Sequence, residues 1–297
     1  MRRFYLSTLL LFGLTLAVQA QSFYAIRRER ALILVVGTGS SSYFGELKNK
    51  NNLDPKLNIN AGLSVYLTNR ISMRAEATWF ELKGSDKLAD DNSRRRRNLS
   101  FTSDNVEISF TGAVNLFPNG NRYYRRPAYN LYAFGGIGGI YFNPKTEYQG
   151  TKYALQPLAT EGVSYSRFAF VIPVGMGARL RMGPNTNLAI EGGYRKTFTD
   201  YLDDVSTVHK DPASFSNPIA AALADRRPEL GLPVVPAGTQ RGDPSHKDGY
   251  FLLNVKIEYY LPGNIQLFGG GQKKYGSFNR KRSSSFYRYN KKGKLRR

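Results

Sequence analysis

The chain has 297 residues, 41% of them apolar and 22% charged, and its 43 Lys and Arg against 22 Asp and Glu give a formal net charge of +21. That apolar share excludes a wholly disordered chain, and the absence of cysteine excludes disulfide frameworks, thiolate metal sites, thiol nucleophiles and a lipidated cysteine. With 29 Gly, 20 Tyr and 18 Phe against one Trp, the composition points to many short strands joined by tight turns.

The first twenty residues, MRRFYLSTLLLFGLTLAVQA, place Arg2 and Arg3 before an apolar stretch from Leu9 to Val18, with a small-residue site at Val18-Gln19-Ala20. This predicts a cleaved secretory signal peptide and a mature chain from Gln21. Beyond it no stretch approaches the roughly 18 continuous apolar residues of a membrane helix, so an exported chain is either soluble or inserted as a β-barrel. The expected layout is a signal peptide over 1–20, a periplasmic segment over 21–30, a barrel over 31–261 and a tail over 262–297. That tail holds eleven Lys or Arg and no Asp or Glu, which leaves the body from Gln21 to Leu261 at only +8.

Within the body the hydrophobic pattern has period two. A first segment covers 31–45. In the second, Ile59, Ala61, Leu63, Val65 and Leu67 alternate with Asn58, Asn60, Gly62, Ser64 and Tyr66. After Thr68-Asn69-Arg70 the third sets Ile71, Met73, Ala75, Ala77 and Trp79 against Ser72, Arg74, Glu76 and Thr78, so the two form a hairpin. Segments over 104–117 and 130–142 follow, the latter blurred by Gly135-Gly136-Ile137-Gly138-Gly139. The sixth alternates from Phe168 to Leu180, Gly183-Pro184-Asn185 turns it into a seventh around Leu188–Arg195, and an eighth runs from Phe251 to Leu261. Eight segments with mostly alternating long and short connections predict an all-β fold, an eight-stranded antiparallel transmembrane barrel of the outer-membrane type with periplasmic termini.

A barrel of eight strands is just wide enough to fill with its own side chains, which argues against a porin-like channel. The polar face supplies Arg74, Glu76, Glu107, Arg179, Arg181, Glu191, Arg195, Lys256 and Glu258, and charges of both signs in a narrow lumen must pair to offset desolvation. A proton or ion path along them is the functional alternative. Aromatics near the strand ends, among them Tyr43, Phe44, Phe80, Phe101, Phe117, Tyr132, Tyr141, Phe142, Tyr165, Tyr201, Tyr250 and Tyr260, suit interfacial girdles.

Chemistry-bearing motifs are sparse. His209 and His246, the two histidines, both fall in the long connection Leu202–Asp248, at no metal-ligand spacing, and read as solvated. A lipid hydrolase could use one of them with Ser206, Ser214, Ser216 or Ser245 and with Asp203 or Asp204. The glycine run lacks the following helix of a dinucleotide site, and Arg241-Gly242-Asp243 matches an adhesion tripeptide by chance. Arg94–Arg97 lies in an external loop, where guanidinium groups suit lipopolysaccharide phosphates. Ser216-Asn217-Pro218 before Ile219–Arg226 predicts a capped short helix packed over the barrel mouth. No cofactor, metal or small-molecule substrate is expected.

The tail interleaves Lys273, Lys274, Arg280, Lys281, Arg282, Arg288, Lys291 and Lys292 with Tyr275, Phe278, Phe286, Tyr287 and Tyr289. In a cytosolic protein this would be a nucleic-acid arm. Behind a signal peptide nucleic acid is out of reach, and a contact with an acidic periplasmic partner is the expectation.

Four stretches carry a family resemblance: YFNPKTEYQGTKYALQPLATEG from Tyr141, EGGYRKTFTDYLDDVSTVH from Glu191, AAALADRRPEL from Ala220 and RGDPSHKDGYF from Arg241. Together they resemble the Bacteroidota outer-membrane barrel family that includes PorG, a component of the type IX secretion machinery, over about Ala31–Leu261. The resemblance implies a non-enzymatic outer-membrane subunit contacting the periplasmic ring formed by a lipoprotein and its partner protein. The system it serves exports adhesins and hydrolases and, in some bacteria, gliding proteins. The basic tail departs from the family pattern and leaves a paralogous structural barrel as one alternative; a small enzyme acting on lipopolysaccharide, suggested by the serines, histidines and aspartates of one external loop, is the other.

Overall fold

The computed structural model describes residues 31–47, 55–89, 91–120 and 124–261. The expected signal peptide, the 21–30 segment and the basic tail lie outside the described residues.

Eight strands build the barrel: β1 (Leu32–Phe44), β2 (Lys56–Tyr66), β3 (Ile71–Ser85), β4 (Ser100–Asn115), β5 (Tyr129–Tyr141), β8 (Phe168–Arg181), β9 (Thr186–Thr197) and β10 (Gly249–Tyr260). Each pairs antiparallel with its neighbour in that order. β10 then pairs with β1 along its length, from Tyr43 opposite Tyr250 to Ile33 opposite Tyr260. The sheet therefore closes on itself and has no free edge, which satisfies its backbone groups without water. A short hairpin, β6 (Pro144–Tyr148) and β7 (Thr151–Ala154), extends from β4 beyond the ring, where Thr102 faces Lys145. Sequence reading missed it because each strand is too short to display a period. Its turn sits on Gln149 and Gly150, both at positive φ, the geometry of tight two-residue hairpins.

Alternation sorts the barrel residues into two shells. Outward positions carry exposed apolar side chains all around the ring, such as Ile59, Met73, Ile108, Phe170, Met176 and Val255. Inward positions carry the buried polar set, together with glycines that make space for rings. A Cβ on Gly177 would lie 2.6 Å from the Tyr132 ring, and one on Gly175 would lie 2.6 Å from the Phe134 ring. These glycines of β8 thus let two β5 aromatics lie across the lumen.

The expected girdles need correction. Tyr43, Phe80, Phe101, Tyr132, Phe142, Tyr250 and Tyr260 are all buried. Parity decides this: Phe80 follows outward Trp79, and Tyr250 precedes the outward-leaning Phe251, so both must point in. Of the expected set Phe117 is exposed, and aromatic exposure otherwise includes Phe110, Tyr129, Phe168, Phe170 and Phe198.

The chain reverses tightly after β2 and after β8, whereas the connections after β1, β3, β5 and β9 gather at the opposite rim. There they pack into a cap. The apolar core sits at this rim and joins barrel residues Phe80, Leu82, Phe101, Ile140 and Leu252 to loop residues Leu47, Leu99, Leu155, Leu202, Val205 and Leu223.

Candidate functional site

Two features could do chemistry or recognition: the charged lumen and the capped mouth. In the middle of the lumen, Arg74 forks onto Glu191 with two bonds of 2.8 and 2.9 Å. Lys256 Nζ donates to both oxygens of Glu76 at 2.8 Å and to Glu191 at 2.9 Å, and Tyr132 Oη donates to Glu191 at 2.8 Å. Toward the short-turn rim, Arg179 Nε reaches Glu258 at 2.7 Å, Asn187 donates to the same carboxylate, and the guanidinium lies 3.7 Å over the Tyr132 ring. Toward the cap, Arg195 stands 3.5 Å from Glu107, which also accepts from Tyr250 Oη at 2.7 Å.

Four cations and four carboxylates thus form a neutral, tiered column, every member of it buried. Arg181 does not join them; it ends β8 exposed and donates to the Arg126 carbonyl. Above the column aromatic rings enter the lumen beside buried Asn58, Asn60, Asn105 and Asn254. Phe80 stacks on Tyr250 at 4.8 Å, and Tyr43 meets Phe101 edge-on at 4.9 Å.

The mouth is closed by the segment 199–207, threaded beneath the other loops. Leu202 and Val205 enter the core, and the carboxylates between and beside them find partners inside. Asp203 accepts from the Val205 and Leu47 N–H groups, Asp204 from Thr160 and Tyr165, and Asp248 from Tyr43 and the Leu202 N–H. Glu161 accepts two backbone N–H groups, of Ser206 and Thr207, and pairs with Arg241 at 2.9 Å. Burial pushes Asp203 up to about 8 and Asp204 up to about 6, because few cations reach them. Sequence reading had named Asp203 and Asp204 only as possible triad members. The available clue was Leu202 and Val205, apolar residues that flank the two aspartates directly.

The serines and histidines do not assemble a nucleophilic triad. His209 is buried, contrary to the solvated reading, and burial together with Arg241 brings it down to about 4. Ser206 donates to Asp200, at 2.8 Å. His246 contacts both Ser245 and Asp243, but through the same atom, Nδ1, at 3.0 and 2.7 Å. A triad places hydroxyl and carboxylate on opposite ring nitrogens so that the carboxylate can hold the tautomer that accepts the hydroxyl proton. Ser214 and Ser216 are exposed on the loop surface. Among the described residues no cluster of His, Asp and Glu has a metal-binding arrangement.

The arginine run is a short helix, α1 (Asn92–Arg97), capped by the Asp91 carboxylate and ended by Asn98 in the left-handed region. Arg97 turns inward to Asp86, with bonds of 2.7 and 2.9 Å, and donates to the Arg241 carbonyl. Arg241 is buried, so the Arg-Gly-Asp tripeptide does not present its arginine to an adhesion receptor. The expected helix over the mouth is α2 (Pro218–Ala224), capped by Asn217 and packed through Ala220, Leu223 and Ala224. The tail cations Lys273, Lys274, Arg280, Lys281, Arg282, Arg288, Lys291 and Lys292 lie outside the described residues.

The sequence has no significant match among curated proteins. Solved structures with a similar chain path include Neisserial surface protein A, at 7% identity and TM-score 0.41, covering 77% of this chain and 97% of that one. A major outer membrane protein of Thermus thermophilus follows at 11% and 0.39, covering 78% and 100%. The N-terminal β-barrel domain of Pseudomonas aeruginosa OprF stands at 6% and 0.36, covering 78% and 98%. A family model described as a domain of unknown function, DUF6089, matches residues 8–217, well over half of the sequence. The chain therefore belongs to the DUF6089 family.

Proposed function

We propose that this protein is a non-catalytic outer-membrane barrel that anchors a periplasmic assembly of the type IX secretion machinery. The observation that carries the reading is the sealed barrel: an apolar exterior all around, a neutral filled lumen and a packed cap. An exterior of this kind is stable in lipid, and a lumen filled with paired charges argues against a channel, so the useful surfaces are the two rims. The sequence resemblance to the secretion barrels supports the assignment of the assembly, namely the ring lipoprotein and its partner. The basic aromatic tail and the short turns are the candidate inner contacts, and lipopolysaccharide is the outer neighbour.

The test is crosslinking and affinity purification of the intact protein from outer membranes, beside a version ending at Leu261. Ring proteins recovered with the full chain and lost with the truncation make the tail the coupler. Recovery with both places the contact on the turns. If neither version recovers ring proteins and cargo export survives gene deletion, the secretion role is wrong.

A further inference from the structure

A cleft of about 440 Å³ opens in the cap between α1 and the long β9–β10 connection. Its walls include Arg94, Arg97, Arg227, Arg241, His209 and Gln240. Two carboxylates also line it, but both are engaged. Glu46 accepts the Asp243 N–H and stands 3.6 Å from Arg97, while Asp243 accepts from Ser245 and contacts His246.

Two of the arginines are held from behind. Asp86 fixes Arg97. Arg241 uses Nε on the Ala224 carbonyl and Nη1 on Glu161 and the Asp204 carbonyl, leaving Nη2 without an acceptor among the described residues. Arg227 differs from both. Its guanidinium has no hydrogen-bond or ion-pair partner among the described residues, and its Nε is nevertheless buried. Arg227 lines the cleft, and an oxyanion bound there would neutralise a guanidinium that has no ion-pair partner among the described residues. Arg94 and Arg97 are both paired with Asp86, which leaves Arg227 and the Nη2 of Arg241 as the cleft's guanidinium donors without an acceptor among the described residues.

We infer that this cleft binds a phosphorylated sugar, with Arg227 and Arg241 on the phosphate and the neutral polar wall around Gln240 on the hydroxyls. Guanidinium forks match phosphate oxygens in pairs, and preorganisation by Asp86 and Glu161 lowers the ordering cost of binding. The cavity exceeds what a bare phosphate fills and falls in the range of small-ligand sites. A phosphorylated glycolipid headgroup and a soluble sugar phosphate share this chemistry. The first source rests on the outer-membrane reading above; the site itself does not.

The experiment uses the intact chain in detergent micelles, labelled at its two histidines for NMR. Glucosamine 1-phosphate, inorganic phosphate and unphosphorylated glucosamine are titrated in turn, followed by bicelles carrying lipid A or its dephosphorylated form. Binding moves the His209 signals and raises its titration midpoint, since a nearby anion favours the imidazolium, while exposed His246 serves as the internal reference. Arg227→Gln weakens binding by about tenfold or more, and Arg227→Lys, which keeps the charge but not the fork, falls between. Response to lipid A but not to free glucosamine 1-phosphate assigns the headgroup; the reverse assigns a soluble ligand.

No His209 response to any phosphorylated probe, or equal affinity in a folded Arg227→Gln protein, overturns the inference. So does a response to inorganic phosphate without one to either sugar phosphate. Cell fractionation reports separately on location: protein recovered away from the outer membrane while micelle binding persists would reject the membrane reading and leave the site standing.

Discussion

Lys256 and Glu76 meet in the centre of the barrel, with Nζ 2.8 Å from each carboxylate oxygen, although they lie on β10 and β3, which are not neighbours in the sheet. The bond crosses the lumen and not a strand ladder. Together with Glu191 and Arg74 it ties opposite walls of the barrel.

Breaking that tie from one side is costly. Lys256→Ala leaves Glu76 with Arg74 Nε at 3.3 Å as its remaining partner and removes one of two cations from Glu191. The expected loss is about 3–5 kcal/mol, read as a lower midpoint in urea unfolding from micelles. Lys256→Met combined with Glu76→Gln removes charge from both sides and should lose less than the sum of the single changes. Strict additivity would mean that the pair is not coupled.

The apolar exterior makes its own prediction. Ile108 and Val255 face outward at mid-strand, each with a buried charge, Glu107 or Lys256, next to it in sequence. Ile108→Arg should destabilise the inserted barrel by about 2–4 kcal/mol, whereas the same change at Phe117, beyond the end of β4, costs about 0–1. Equal costs at both depths would argue against a membrane-embedded band.

The cap should respond to pH. Asp203, raised to about 8 by burial, holds its proton in the folded state at pH values where the unfolded chain has lost it. Its contribution is complete below an ordinary carboxylate value of about 4 and is lost as pH rises through about 8. His209, lowered to about 4, works in the opposite direction, and its contribution is complete above about 6.5. Between about pH 6.5 and 8.5 the carboxylate acts with little opposition, so loop 198–248 should become easier for protease to cut as pH rises. Asp203→Asn should flatten that dependence, and an unchanged slope would assign it elsewhere.

Rings hold cap and barrel together. Phe80→Ala removes the stack under Tyr250 and the contacts of the core at the rim, an expected loss of about 3–5 kcal/mol. Because the charge column lies below, the barrel should remain closed while the loops loosen. Faster amide exchange in 198–248 with unchanged exchange in β8 and β9 is the expected pattern. Uniform acceleration would show that the cap and the barrel unfold as one unit.

Strand number, antiparallel closure and the inward placement of Arg74, Glu76, Glu107, Arg179, Glu191, Arg195, Lys256 and Glu258 were all legible along the chain. Period-two alternation is a local property, and a side chain's face follows from its parity with its immediate neighbours. Pairing was not legible. Glu191 chooses Arg74 and Lys256 because closure brings β3, β9 and β10 to one level of the lumen, a relation no window of sequence contains. The aromatics illustrate the same division: parity with Trp79 and Phe251 turned Phe80 and Tyr250 inward, while the space at Gly177 on the neighbouring strand lets Tyr132 lie across the lumen.

The loops depended most on tertiary structure. Asp86, Glu161, His209 and Arg241 look like solvated loop residues, since nothing adjacent to them is apolar enough to predict burial. They become interior because connections crowd one rim and bury one another's backbone, and these carboxylates and guanidinium groups satisfy amides and carbonyls trapped there. The sequence alone determined a barrel with a polar inside; folding at the crowded rim decided that it would be sealed, and left Arg227 as a cleft arginine without an ion-pair partner among the described residues.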